Sequence, residues 1–173
     1  MPPSGAFLQA TPDGETALRA AVKDAVGSAK HIVDLFAGCG TFALPLARQA
    51  QVLAVEGERA LTSALQLGWR QAAGLKTVTT QTRDLFRRPL LPDELKQFQA
   101  AVIDPPRAGA EAQVSELAKS KTAQIAFVSC NPVTFARDAK SLIDAGYKLN
   151  WTQVVDQFRW SAHIELVASF TAS

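Results

Sequence analysis

At 173 residues, with 47% hydrophobic and 20% charged side chains, the chain has globular composition and a length that suits one domain better than two. No apolar run approaches the roughly eighteen residues that a membrane helix needs, and the opening MPPSGAFLQ lacks the basic-then-apolar pattern of a secretion signal, so a cytoplasmic setting with no membrane partner is expected. A net charge of +2 and a pI near 8.7 permit an RNA partner without predicting one.

In chain order, the pattern predicts a helix over 14–27, a strand HIVDLF (31–36), a helix over 41–50 and a strand QVLAVE (51–56). A helix over 58–73, a strand TVTTQT (77–82), a strand AAVIDP (100–105) and a helix over 110–119 follow. A strand IAFVSC (125–130) and a helix over 133–145 complete the alternation. Several strands are almost continuously hydrophobic, as expected of strands buried on both faces. Such βαβ repetition argues a parallel, doubly wound sheet that binds ligands beyond the carboxyl ends of its strands. The tail, YKLNWTQVVDQF then HIELVASF, has two strand-like segments without a helix between them, joined by Arg159, Trp160, Ser161 and Ala162, and is read as an antiparallel closing hairpin. No repeat or linker divides the chain.

Each unusual residue falls at a predicted strand end. In Asp34-Leu35-Phe36-Ala37-Gly38-Cys39-Gly40-Thr41-Phe42, Gly38 and Gly40 occupy the turn from first strand to helix, where absent side chains let a ligand approach the backbone. The third glycine of a dinucleotide fingerprint is replaced by Ala43, which that pattern tolerates, so the motif alone does not exclude NAD. Glu56 ends the second strand, where a carboxylate accepts hydrogen bonds from ribose hydroxyls in NAD and S-adenosylmethionine sites alike. Asp34 reads equally as an acid near the cofactor or as an anchor for loop amides, and Asp84 as an adenine ligand or a turn cap. Cys39, between two glycines, is expected to fill a small space.

Asp104-Pro105-Pro106-Arg107 follows the fourth strand, and its paired prolines stiffen the backbone where a substrate would meet a cofactor. Ser129-Cys130-Asn131-Pro132 closes the fifth, putting a thiol at a helix start whose amides favour the thiolate. His163 and Glu165 project from one face of the last strand, and Glu165 is a candidate base. Cys39 and Cys130 show neither a disulfide framework nor a CxxC spacing, so no metal site is expected.

Taken together, DLFAGCGTF, AVEGE, DPPRAG, SCNPVTFARD and DQFRWSAHIEL resemble, in this order and over nearly the whole chain, the RNA uracil-5-methyltransferase family. The resemblance implies a Rossmann-like class I methyltransferase, α/β with a mostly parallel doubly wound sheet and an antiparallel C-terminal strand. It implies S-adenosylmethionine as cofactor and an RNA substrate, ribosomal RNA before transfer RNA. Gln9, Phe36, Thr41, Glu56 and Asp104 become cofactor positions with the glycines, Asp84 matching less firmly. Cys130 becomes the nucleophile and Glu165 the base that removes the carbon 5 proton. Thr41 stands where members often carry asparagine, while Arg137 and Asp138 match without a chemical role and read as a salt-bridged helix face.

The chemistry needs these residue types. Carbon 5 of uracil becomes nucleophilic once a thiolate adds at carbon 6, and a carboxylate must then remove the carbon 5 proton. The uridine must be single-stranded or flipped out, with Phe135, Phe158 or Trp160 as stacking candidates. Family members are usually longer, with an RNA-binding barrel and sometimes an iron–sulfur cluster, so the whole of 1–173 is expected to be the catalytic domain alone. Three rivals remain. The Asp-Pro-Pro motif also fits an amino-methyltransferase acting on a nucleobase amine, the fold fits a non-catalytic cofactor-binding module, and the glycine turn fits a dehydrogenase.

Overall fold

Parallel pairing explains the hydrophobic runs, because the inner strands of the sheet are covered on both faces. The computed structural model describes residues 11–157 and 164–172. Its strands are β1 (His31–Leu35), β2 (Gln51–Glu56), β3 (Val78–Thr82), β4 (Ala100–Ile103), β5 (Gln124–Ser129), β6 (Tyr147–Val155) and β7 (Glu165–Ala172). Its helices are α1 (Pro12–Val26), α2 (Ala43–Leu46), α3 (Arg59–Gln71), α4 (Pro92–Leu95), α5 (Glu111–Ser120) and α6 (Pro132–Asp144). The sheet order is β3-β2-β1-β4-β5-β7-β6. The strand order reverses between β1 and β4, which opens a ligand crevice at their carboxyl ends.

Successive side chains of a strand point to opposite faces. Ile32, Val52, Ala54, Val102 and Val128 join α1, α2 and α3 in one core, while Val33, Val55, Ile103 and Phe127 join α5 and α6 in the other. Helix starts follow their sequence signals. Thr11 caps α1 by accepting the Gly14 N–H, and Asn131 caps α6 by accepting the Val133 N–H, each ahead of a proline in the first turn.

The tail pairs as the expected antiparallel hairpin, with Val155 opposite Glu165, but β7 inserts between β5 and β6. Being antiparallel to both, it alone runs against the other strands, and its first residue therefore arrives at the edge where they end. The helix expected over 41–50 is shorter, because the amides of Arg48 and Gln49 bond back three residues and tighten the chain into turns after Leu46. The single turn α4 was not anticipated. Pro92 followed by Asp93 and Glu94 is a helix-start signal, but four residues show no periodicity.

Candidate active site

The carboxyl edge gathers Phe36, Gly38, Cys39, Thr41, Glu56, Asp84, Phe86, Asp104, Arg107, Cys130 and Glu165 around a single cavity of about 810 Å³, a size typical of small-molecule sites. Eight of the nine described positions predicted for the site line it. Gly40 lies just behind the lining, where its φ of +100° makes the turn. Gln9 and His163 lie outside the described residues, as do Phe158 and Trp160.

At the glycine turn, Gly38 has φ +55° and a Cβ built there would meet no atom within 4 Å, so its missing side chain leaves the cavity wall bare backbone. Glu56 holds this turn closed. One of its carboxylate oxygens accepts the Gly38 N–H at 2.9 Å and the other accepts the Glu58 N–H at 3.0 Å. Each oxygen keeps a further lone pair for a ligand hydroxyl. Phe36 adopts φ +62°, a conformation that costs a bulky residue about 1–3 kcal/mol, and packs against Phe86 with ring centroids 5.3 Å apart. Phe86, 48% exposed on the cavity, was missed by sequence reading, although an aromatic two residues after Asp84 was its available signal. Asp84 caps its own turn by accepting the Phe86 N–H at 3.0 Å, with Arg87 near its second oxygen at 3.6 Å.

Asp34, read either as an acid near the cofactor or as an anchor for loop amides, lies near the Ala43 amide. It is fully buried, and neither oxygen lies within hydrogen-bonding geometry of a described group. Burial pushes its carboxyl well above the usual range, with Asp104 and Glu56 adding repulsion and the nearby Ala43 amide opposing in part.

At the reaction end, strand register makes the encounter that spacing could not foretell. Ser129 pairs with Leu166, which brings Cys130 and Glu165 opposite each other one step beyond. Both continue the parity of Val128 and Val167, which share one face of the sheet. Glu165 is 2% exposed, and burial raises its carboxyl to about 7. Asp104 is also raised to about 7, first by burial and then by the Glu165 charge.

The thiol differs from expectation. Rather than being favoured as a thiolate by the helix start, Cys130 is pushed above its ordinary value by burial, then by Glu165 and Asp104, with the Arg107 guanidinium pulling the other way. The reason is position. Cys130 precedes the Asn131 cap, whose side chain already takes the Val133 amide. Phe135, one of the stacking candidates, is partly buried and packs edge-on against Phe127 with ring centroids 5.4 Å apart. Among the described residues no group of His, Cys, Asp and Glu could hold a metal ion, and no helix is long and apolar enough to cross a membrane.

Comparison with known proteins bears on this geometry. The profile of the tRNA (uracil-5-)-methyltransferase family matches residues 4–170. The chain belongs to this family. A Rhizobium meliloti (strain 1021) protein described as an uncharacterized RNA methyltransferase is 55% identical over 97% of the chain. The 23S rRNA (uracil(1939)-C(5))-methyltransferase RlmD of Pseudomonas putida is 39% identical over 83% of the chain and 32% of its own length. Among solved structures, the Pyrococcus abyssi tRNA (uracil-54, C5)-methyltransferase in complex with S-adenosyl-L-homocysteine superposes with a TM-score of 0.84 at 27% identity, covering 96% of this chain and 40% of that one. The Rossmann-like methyltransferase fold expected of the family is therefore the one observed, and the chain spans about 40% of the length of curated relatives such as the Rhizobium meliloti protein.

Proposed function

We propose that residues 1–173 form the catalytic domain of an S-adenosylmethionine-dependent RNA methyltransferase acting on carbon 5 of uridine, with Cys130 as nucleophile and Glu165 as base. The observation that carries this reading is the convergence of Cys130, Glu165 and Asp104 on the cavity that also contains the glycine turn and Glu56. An amino-methyltransferase or a bare binding module has no use for the thiol and carboxylate that β5 and β7 bring together.

The residues present suit the cofactor. The bare backbone at Gly38 leaves room for close approach, Glu56 retains acceptor capacity for ribose hydroxyls, and Phe36 with Phe86 offers an aromatic wall. Asp84, Thr41 and Asp104 complete the polar lining, and Gln9 is assigned to the same site by family resemblance. S-adenosylmethionine supplies, when bound, the sulfonium methyl that becomes attached to carbon 5.

Cys130, once deprotonated, forms its sulfur bond to carbon 6 of uracil, and the carbon 5–carbon 6 π electrons move toward carbon 5 and the carbon 4 oxygen. Arg107 favours that thiolate against the two carboxyls. After methylation, Glu165 takes the carbon 5 proton, the released pair restores the double bond, and the sulfur leaves carbon 6. A carboxyl raised to about 7 suits this task because it holds or gives up a proton near neutrality at little cost.

We take ribosomal RNA as the preferred substrate, because a relative 39% identical over 83% of the chain is a 23S rRNA (uracil-C5)-methyltransferase. Incubation of the chain and of Cys130→Ala with S-adenosylmethionine and 5-fluorouridine-containing ribosomal or transfer RNA tests both points. A protein–RNA adduct seen by mass spectrometry, absent from the variant and stronger with ribosomal RNA, is expected. An adduct that survives in Cys130→Ala would refute the nucleophile, and a preference for transfer RNA would refute the substrate.

A further inference from the structure

Beyond the candidate nucleophile, the Asn131 cap and Thr134 and Asp138 of α6 follow an i, i+3, i+7 spacing that lines one side of the helix. The salt bridge expected between Arg137 and Asp138 forms, but Asp138 is 1% exposed rather than part of an open surface. This face reaches across to the main chain of the loop after β4. The Asn131 side-chain amide donates to the Arg107 carbonyl at 2.9 Å, and the Thr134 hydroxyl donates to the same oxygen at 3.3 Å. Arg137 donates to the Ala108 carbonyl at 3.4 Å, and Asp138 accepts the Ala110 N–H at 2.8 Å. The other Asp138 oxygen receives the Arg137 guanidinium at 2.7 Å.

Between these contacts sits Gly109. Its φ is +80°, and a Cβ there would lie 2.5 Å from Arg137 Nη2 and 2.7 Å from Asp138 Oδ2. The glycine is thus demanded twice, by backbone conformation and by the closeness of α6. All four contacts to the loop read its main chain, so they set its path rather than its side-chain identities. The residue that takes two of them, Arg107, turns its side chain to the cavity that holds Cys130.

We propose that Asp138 is a positioning residue which, together with Arg137, Thr134 and Asn131, locks the 107–110 loop onto α6 and thereby keeps the Arg107 guanidinium within electrostatic reach of Cys130. The catalytic consequence rests on Cys130 being the nucleophile, but the positioning does not. Removing the Asp138 carboxylate leaves a buried Ala110 N–H without its acceptor and frees the loop to move away with Arg107. The thiol then faces Glu165 and Asp104 without that cation.

The test is the pH dependence of Cys130 alkylation by iodoacetamide, read by peptide mass spectrometry so that Cys39 is scored separately. Asp138→Ala is expected to move the alkylation midpoint alkaline by on the order of one pH unit, as does Arg107→Met. Asp138→Ala adds no further shift in the Arg107→Met background. Asp138→Asn, which keeps an acceptor for Ala110, recovers part of the shift, and Thr134→Val gives a smaller one. A folded Asp138→Ala protein, melting cooperatively and binding S-adenosylmethionine, with an unshifted profile would overturn the proposal, as would an additive shift in the double variant. Should Asp138→Ala not fold, an unshifted Thr134→Val profile decides the same way. Neither RNA nor methyl transfer enters this assay, so a failed 5-fluorouridine adduct would sink the uracil reading and leave the clamp standing.

Discussion

Replacing Glu165 by glutamine should stabilise the protein at alkaline pH while removing its turnover. The native carboxyl sits near 7 against an ordinary 4.5, because burial disfavours its charge. Below about pH 4.5 the side chain is protonated whether folded or unfolded, and folding bears no penalty. Between about 4.5 and 7 the unfolded chain has released the proton that the native state still holds, so native stability falls as pH rises, and the loss is complete above about 7. At about 1.4 kcal/mol per unit, the full penalty is about 3 kcal/mol. A neutral glutamine avoids it, so Glu165→Gln should exceed the parent by about 3 kcal/mol near pH 8 but by less than about 1 kcal/mol near pH 5. For a chain of this size that gain corresponds to roughly 6–12 °C in Tm at the higher pH. Urea denaturation of both proteins at the two pH values measures it, and the 5-fluorouridine adduct should still form with the variant while release of methylated RNA stops. Equal stabilities near pH 8, or a gain of the same size near pH 5, would refute the reasoning that an ionised Glu165 is disfavoured by burial.

Asp104 and Glu165 both change charge near 7, so the cavity is more negative above that pH than below it. Affinity for S-adenosylmethionine relative to S-adenosylhomocysteine, which lacks the sulfonium charge, should rise on the order of tenfold from about pH 6 to about pH 8 by calorimetry, and a constant ratio would count against the assigned acids. Gly40→Ala introduces a Cβ 3.0 Å from both Leu44 and Leu65 at φ +100°, and should cost about 2–3 kcal/mol in thermal or urea unfolding. Gly38→Ala meets only open cavity, so it should cost about 1 kcal/mol of stability yet weaken S-adenosylmethionine binding on the order of tenfold or more. Equal destabilisation by the two would contradict the different surroundings assigned to them.

Local pattern was enough for much of this protein. Nearly continuous apolar runs announced strands covered on both faces, because a strand with two cores has no polar side to alternate. Glycines at 38 and 40, Glu56, Asp84, Asp104 and Cys130 were legible as strand-end residues because a parallel sheet sends each such end to the same edge. What sequence spacing could not supply was the meeting of Cys130 with Glu165. It depends on β7 entering between β5 and β6 in reverse, a pairing made by long-range backbone hydrogen bonds that leave no local trace.

The electrostatics lay beyond local reading for the same reason. A helix start beside Cys130 suggested a favoured thiolate, whereas the surrounding burial and two carboxyls from other strands decide the opposite direction. Asp138 read as part of a salt-bridged helix face, and tertiary packing keeps its pair with Arg137 while burying it against the backbone of the loop after β4. Periodicity and turn chemistry act over a few residues, and so the sequence by itself determined the elements and the strand ends where chemistry would gather. Burial and charge at a point in space sum over segments far apart in the chain, so only the tertiary structure decided which of those residues face one another and in what protonation state.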